Sequence, residues 1–135
     1  ERDAALLYAS TYQMPLYPGT GAASERGIGN IVNAPLRPMS GSEEFRKAFS
    51  TIIIPALEAF RPELVIISAG FDAHRDDPLA QLMLLEADYA WSTERLAAIA
   101  KKHAQGRIVS SLEGGYNLRA LAGSAAAHVA ALLAA

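Results

Sequence analysis

Two clusters of polar residues follow apolar, strand-like runs and hold most of the chemistry that this sequence could perform. The first cluster reads Ser-Ala-Gly-Phe-Asp-Ala-His-Arg-Asp-Asp-Pro over residues 68–78. Asp72 is either a hard oxygen ligand for a metal ion or a cap for the next turn, because Asp commonly caps turns. His74 lies two residues on, and such a pair is a weak metal signal by itself. Asp76 and Asp77 predict a turn before Pro78.

The second cluster reads Leu-Glu-Gly-Gly-Tyr-Asn over residues 112–117. The pair Gly114-Gly115 permits a close approach of the backbone to a ligand. The Tyr116 phenol could then donate a hydrogen bond to an oxyanion that develops during a reaction, or it could be a rim aromatic after a tight turn. Glu113 could orient this loop or cap the next helix. The sequence contains no nucleophile elbow and no phosphate-binding loop of the GxxxxGKS type.

The elements that must position these clusters alternate between strands and helices. Apolar runs predict strands over residues 4–10, 31–36, 63–69 and 107–112, and helical spacing predicts helices over 42–61, 85–103 and 118–132. Pro55 is expected to kink the first helix. The continuous run at 63–69 is typical of a central strand that is buried on both faces. This order predicts an α/β fold with a parallel sheet, whose ligands bind beyond the carboxyl ends of the strands.

Composition excludes several classes of protein. The chain has 135 residues, of which 51% are hydrophobic and 19% charged, as expected for a globular domain. It contains no cysteine, which rules out disulfides and thiolate metal sites. The net charge of -2 does not indicate a direct nucleic-acid partner. No segment reads as a signal peptide or a membrane span, so we expect a cytoplasmic protein without a membrane partner.

Four stretches together resemble the zinc-dependent histone deacetylase superfamily, which includes acetylpolyamine amidohydrolases, and most of all its bacterial class II-like members. They are YPGTG at 17–21, GNIVNAPL at 29–36, IIIPALEAFRPELVIISAGFDAHRDDPLA at 52–80 and SLEGGYNL at 111–118. The resemblance covers nearly the whole chain. It implies an arginase/deacetylase-like three-layer α/β fold, in which helices flank a parallel sheet.

The resemblance also implies an activity and roles for single residues. The activity is removal of acetyl groups from acetyl-lysine, acetylated polyamines or other small acylated amines, with Zn²⁺ and a structural monovalent cation such as K⁺. The residues that match functional positions of the family are Asp72 (zinc ligand), Tyr116 (oxyanion donor), Tyr17 and Leu79 (walls of the acyl channel), Gly115 (backbone beside the acyl group), and Ser10 and Thr11 (monovalent cation).

The sequence departs from the family pattern in two places. Tyr12 stands where related sequences usually have His, which affects local packing or the cation site. The family's histidine pair and its Asp-x-His zinc ligands lie upstream of the matched region, and His74, His103 and His128 cannot replace them. Residues 1–135 are therefore predicted to be the C-terminal part of a deacetylase-like catalytic domain whose N-terminal part is absent, and the chain alone is predicted to be inactive.

Two other hypotheses remain open at this point. The chain could be a non-catalytic or split half that binds a partner chain or an acylated ligand. It could also be an unrelated flavodoxin-like domain that uses the same strand ends for a small ligand. A half sheet exposes an edge and an apolar flank, which predicts association, with the missing N-terminal part or in an oligomer, or poor solubility of the chain alone.

Overall fold

The computed structural model describes residues 3–16 and 19–135. The strands are β1 (Tyr8–Gln13), β2 (Ile31–Leu36), β3 (Val65–Ala69) and β4 (Ile108–Leu112). The helices are α1 (Ser42–Ala48), α2 (Ile54–Phe60), α3 (Glu86–His103) and α4 (Leu118–Leu133), with a π-helical turn (Phe49–Ile53) between α1 and α2. The predicted order of elements is confirmed, although β1 begins later than the predicted run at 4–10.

The four strands form two parallel pairs. In the first pair Tyr8 is in register with Ile31, and in the second Val65 is in register with Ile108. Parallel neighbours need a crossover connection, and α3 supplies it between β3 and β4. Within the described part of the chain β1 pairs with β2 alone and β3 with β4 alone. The α/β class with parallel strands and flanking helices, predicted from the sequence, is confirmed.

The segment that contains Pro55 remains helical, with a change in its hydrogen bonding. The π-helical turn Phe49–Ile53 lies directly before α2, in which Pro55 is at the second position. Proline has no N–H to donate to the preceding turn, and π-turns are places where the regular ladder is interrupted. Where the sequence predicts a kink at Pro55, the structure has a π-helical turn directly before α2, and α1 and α2 continue as one helical segment.

The main core lies between the strand pairs and the aromatic faces of the helices. Phe71 packs edge-on against Tyr89, with 5.1 Å between ring centroids, and Leu84 is 2% exposed. Burial of one such side chain contributes about 1.5–3 kcal/mol to stability. The buried members of this cluster are Ala34, Leu36, Phe45, Phe49, Ile53, Ala69, Phe71, Leu82, Leu84 and Tyr89.

Within the part of the chain that the structure describes, only one face of the β3–β4 pair is covered by other residues. Val65 packs against Ile99 and Ala100 of α3. On the opposite face Ile66 is 68% exposed and its register partner Val109 is 56% exposed. The prediction that this run is buried on both faces is therefore wrong for this chain, because its helices lie on a single side of the pair.

Asp88 fixes α1 against the start of α3. This fully buried carboxylate accepts hydrogen bonds from Ser42 Oγ at 2.6 Å, Arg46 Nε at 2.8 Å and the Leu85 backbone N–H at 3.0 Å. Because three donors bind its oxygens, the buried charge of Asp88 can be tolerated in the folded chain.

No described helix combines the length and the apolar character that crossing a membrane requires.

Candidate active site

The loops that follow β3 and β4 lie side by side at the carboxyl ends of these parallel strands. The Glu113 N–H donates to the Ala69 carbonyl at 3.0 Å, and the Phe71 N–H donates to the Gly114 carbonyl at 2.8 Å. The Asn117 amide reaches the Asp76 carbonyl at 3.0 Å. The two polar clusters of the sequence, at residues 68–78 and 112–117, therefore form one site.

Asp72 lies in the first of these loops, with its carboxylate against the second. The side chain is half-buried, and desolvation raises its pKa, with a further contribution from the like charge of Asp77. A Cβ atom on Gly114 would lie 2.7 Å from Asp72 Oδ2, so only glycine leaves room for this carboxylate. A half-buried carboxylate with a raised pKa is the kind of group that functional sites often contain.

Tyr116 and Leu79 are two exposed side chains with anchored backbones. Tyr116 is 56% exposed and Leu79 is 64% exposed. The Tyr116 N–H donates to Asp77 Oδ2 at 2.8 Å, and the Leu79 N–H donates to Asp77 Oδ1 at 2.9 Å. A phenol and an apolar side chain thus project from one hydrogen-bonded frame, and both are accessible to a molecule that enters from solvent.

Gly115 has a conformation that requires glycine. Its φ is +141°, which lies in the region that L side chains rarely adopt. A Cβ at this position would also lie 3.0 Å from Leu121 Cδ1 and 3.2 Å from Phe71 Cβ. Glycine is therefore required here both for its backbone conformation and for the close passage of the loop over Phe71 and Leu121.

His74 is held in a structural arrangement. It is 3% exposed, and its Nδ1 accepts a hydrogen bond from the Asp76 N–H at 3.1 Å. Nε2 then carries the proton and faces Glu86 Oε1 at 3.6 Å. In this arrangement Nε2 keeps its proton without a hydrogen-bond partner among the described residues, and neither ring nitrogen has a free lone pair.

The remaining predicted site residues lie on β1 or outside the described part. Ser10 and Thr11 are partly buried on β1, opposite Asn33 and Ala34. Tyr12, which replaces the usual His, donates its hydroxyl hydrogen bond to the Gly21 carbonyl and so ties the following loop to β1. Burial raises the pKa of this phenol. Tyr17, predicted as a channel wall, lies outside the described residues.

A cleft of about 780 Å³ separates β1 from β3 and reaches Asp72. Among the described residues each of these strands pairs on one side only, and both strands line the cleft. Its floor is apolar and aromatic, and the residues that line it include Leu36, Phe45, Phe49, Ile53, Ile67, Phe71, Leu82, Leu84 and Tyr89.

The described residues do not contain a complete set of zinc ligands. Catalytic zinc generally takes three protein ligands and keeps one open position. Over residues 3–16 and 19–135, no group of three or more His, Asp or Glu side chains is arranged to hold a metal ion. Asp72 was predicted to be one such ligand, and the described residues would supply at most part of a zinc site.

His128 is a buried histidine whose neutral form is fully hydrogen-bonded. Thr93 Oγ1 donates to the Tyr89 carbonyl at 2.6 Å, so it accepts from His128 Nδ1, also at 2.6 Å. Nε2 then accepts from the Ser110 hydroxyl at 2.8 Å. Burial lowers the pKa of His128 below its ordinary value of 6.5.

This histidine is expected to make the 135-residue chain less stable in mild acid. Below pH 6.5 the unfolded chain binds a proton at His128 that the folded chain does not bind, so stability falls as pH falls. We expect the thermal midpoint to drop between pH 8 and pH 5, and His128→Gln to lessen that drop. Equal pH dependence of the two proteins in thermal melts would contradict this role of His128.

These features define a class before any comparison. The chain is an α/β domain in which two hydrogen-bonded loops at the carboxyl ends of parallel strands carry a half-buried carboxylate and an accessible phenol. The sequence profile of the family described as "Histone deacetylase domain" matches residues 1–132. This chain belongs to the histone deacetylase family, and the alternative of an unrelated flavodoxin-like domain is wrong.

Known proteins agree with this membership. The chain is 44% identical over 120 residues to a probable deacetylase of Archaeoglobus fulgidus, covering 86% of this chain and 33% of that protein. It is 41% identical over 135 residues to the chloroplastic histone deacetylase 14 of Arabidopsis thaliana, covering 97% and 32%. The crystal structure of the HDA15 HD domain superposes with a TM-score of 0.88 at 40% identity, covering 95% and 37%. The chain thus spans about a third of the length of these relatives.

One residue of the site had no sequence signal for its role. Asp77 was predicted to structure the turn before Pro78, and its bond to the Leu79 N–H confirms that part. Its second bond joins it to Tyr116, 39 residues away, which spacing alone cannot indicate. Asn117, rather than Glu113, caps α4 by accepting from the N–H groups of Arg119 and Ala120.

Proposed function

We propose that this chain is the C-terminal part of a zinc-dependent deacetylase that removes acetyl groups from acetyl-lysine or other acetylated amines in the cytoplasm. The observation that carries the proposal is that the loop with Asp72 and the loop with Tyr116 are hydrogen-bonded to each other at the carboxyl ends of β3 and β4. Asp72 would be one zinc ligand. Ser10 and Thr11 would contribute oxygen ligands to a K⁺ ion, with β1 bordering the same cleft as Asp72.

The chemistry of amide hydrolysis fits the exposed residues of this site. Attack on the acetyl carbonyl places negative charge on its oxygen, and a phenol O–H such as that of Tyr116 can donate to this oxygen as the charge develops. Leu79 offers an apolar surface to the uncharged, acylated chain, and the backbone of Gly115 offers a close approach to its acyl group. Tyr17 would contribute the second wall of the channel.

The rest of the active site would come from chain outside these 135 residues. An extended segment in the cleft between β1 and β3 could pair with both unpaired edges and would end near Asp72, where further ligands and a general base are needed. The exposed face of Ile66 and Val109 likewise needs a cover. We therefore propose that the partner of this chain is the N-terminal part of the same domain.

The test compares two proteins on an acetyl-lysine peptide and on an acetylated polyamine. The full-length product of the gene should turn over at least one substrate and should contain zinc by elemental analysis. The 135-residue chain, supplied with zinc, should show no turnover and only weak zinc binding. Turnover by the short chain that Tyr116→Phe abolishes would overturn the division of the site, and a full-length protein without amidase activity would overturn the enzymatic proposal.

A second candidate function is a split or non-catalytic half that binds a partner chain or an acylated ligand. The unpaired edges of β1 and β3 favour it, because such edges pair readily with another chain, including a second copy. Co-expression with a separate segment that carries a histidine pair and an Asp-x-His motif distinguishes the cases. Restored zinc binding supports a split enzyme, whereas a stable complex without zinc or turnover supports a binding module.

A further inference from the structure

We propose that Asp77 is a positioning residue that holds the phenol of Tyr116 at the reacting carbonyl, an inference that rests on the proposed deacetylase function. Asp77 is 7% exposed, so its carboxylate is removed from water. Oδ2 accepts from the Tyr116 N–H at 2.8 Å, and Oδ1 accepts from the Leu79 N–H at 2.9 Å. One side chain therefore holds both the oxyanion donor and the channel wall.

Tyr116 needs such an anchor because of what surrounds it. Its side chain is 56% exposed, so packing does little to fix it. The preceding residue, Gly115, has the freedom of glycine and a φ of +141°. The Tyr116 N–H, which directly follows this glycine, donates to Asp77 Oδ2. This hydrogen bond fixes the backbone from which the Tyr116 side chain extends.

The hydrogen bond between the Tyr116 N–H and the Asp77 carboxylate is also stronger than a bond between neutral groups. Hydrogen bonds to a carboxylate are roughly twice as strong as those between neutral groups, and burial strengthens them further. The Asp77 N–H itself donates to the His74 carbonyl at 2.9 Å, so the acceptor stands on a fixed turn. The loop with the metal-ligand candidate and the loop with the phenol are thereby held at a constant separation, which is what preorganised catalysis requires.

The decisive experiment is a double-mutant cycle on kcat in the full-length protein. Asp77→Asn turns one accepting oxygen into an N–H donor, so one of the two backbone amides loses its partner. We expect a fall in kcat of roughly 10- to 100-fold, as for a small misplacement of a catalytic group. In the Tyr116→Phe background the same substitution should have little further effect, because there is no phenol left to position. Equal, additive losses in both backgrounds would overturn the proposal.

A second variant separates positioning from the local turn. Asp77→Ser keeps a hydroxyl that can accept from the Leu79 N–H as in an ST-turn, but a single oxygen cannot also span to the Tyr116 amide. It should therefore fold and still lose kcat. Asp76→Asn is the matched control, since the Asp76 side chain is 59% exposed and takes no part in the frame. It should retain wild-type kcat.

Amide hydrogen exchange in the 135-residue chain tests the positioning role of Asp77 independently of the proposed deacetylase activity. Amide hydrogen exchange at Tyr116 should quicken in Asp77→Ser and stay unchanged in Asp76→Asn. Unchanged exchange at Tyr116 in Asp77→Ser would overturn the positioning role, whatever the activity of the enzyme. A wild-type full-length protein without amidase activity would instead overturn the proposed function.

Discussion

Replacement of Tyr116 by phenylalanine in the full-length protein is expected to lower kcat by about 100- to 1000-fold, the usual cost of removing one oxyanion donor. The hydroxyl is the only group removed, and its side chain is 56% exposed, so folding should not change. KM should change little, because the donor is worth most when charge develops on the carbonyl oxygen. Steady-state kinetics on an acetyl-lysine peptide measure both parameters.

The control for this substitution is Tyr8→Phe. Tyr8 has a comparable exposure of 59% and lies at the amino end of β1, whereas Tyr116 follows the carboxyl end of β4. It should retain wild-type kcat and the same thermal midpoint. If Tyr116→Phe kept more than half of the wild-type kcat, the phenol would not be the oxyanion donor and the proposed mechanism would fail at its central residue.

The order of elements could be predicted because local patterns determine it. The run that became β2 and the helical stripes of α3 and α4 each carry a periodicity that tertiary contacts did not override. The position of the site followed from a general rule, since residues after β3 and β4 must meet at one edge of a parallel pair. Resemblance then selected Asp72 and Tyr116 from several polar candidates.

The burial of single residues and the long-range hydrogen bonds could not be predicted from local sequence patterns. The apolar run at 63–69 predicts a strand that is buried on both faces. Ile66 is nevertheless exposed, because no described residues pack against its face of the strand. The bond from Asp77 to Tyr116 depends on how two loops fold over each other, and no spacing encodes it. The cleft beside β1 likewise arises from the arrangement of two strand pairs, which a single sequence does not specify.

The charge of the Asp72 carboxylate is expected to lower the stability of the folded chain and to be needed for its function. The surroundings of Asp72 disfavour its charge, since desolvation raises its pKa and Asp77 adds repulsion. A group with a raised carboxyl pKa destabilises the folded chain above that pKa, and this cost disappears as the carboxyl is protonated in acid. A carboxylate kept at such a cost is expected where a cation would otherwise compensate it.

Asp72→Asn should therefore act in opposite directions on stability and on activity. In the 135-residue chain with a chelator present, it should raise the thermal midpoint at pH 7, because the amide has the same shape without the charge. The gain should shrink toward pH 4, as the wild-type carboxyl gains its proton. In the full-length protein the same change should lower zinc content and lower kcat/KM by more than about 100-fold, a loss beyond that typical of residues that only support a ligand.

Asp76→Asn supplies the matched control, because it removes an exposed charge four residues away and should alter neither the midpoint nor the zinc content. A gain in the midpoint for Asp72→Asn that persisted unchanged at pH 4 would show that the charge is not its cause. A full-length Asp72→Asn protein with normal zinc content would remove Asp72 from the ligand set. Stabilisation together with loss of zinc is the combination that only a carboxylate retained for a metal predicts, since a turn cap would lose stability on substitution.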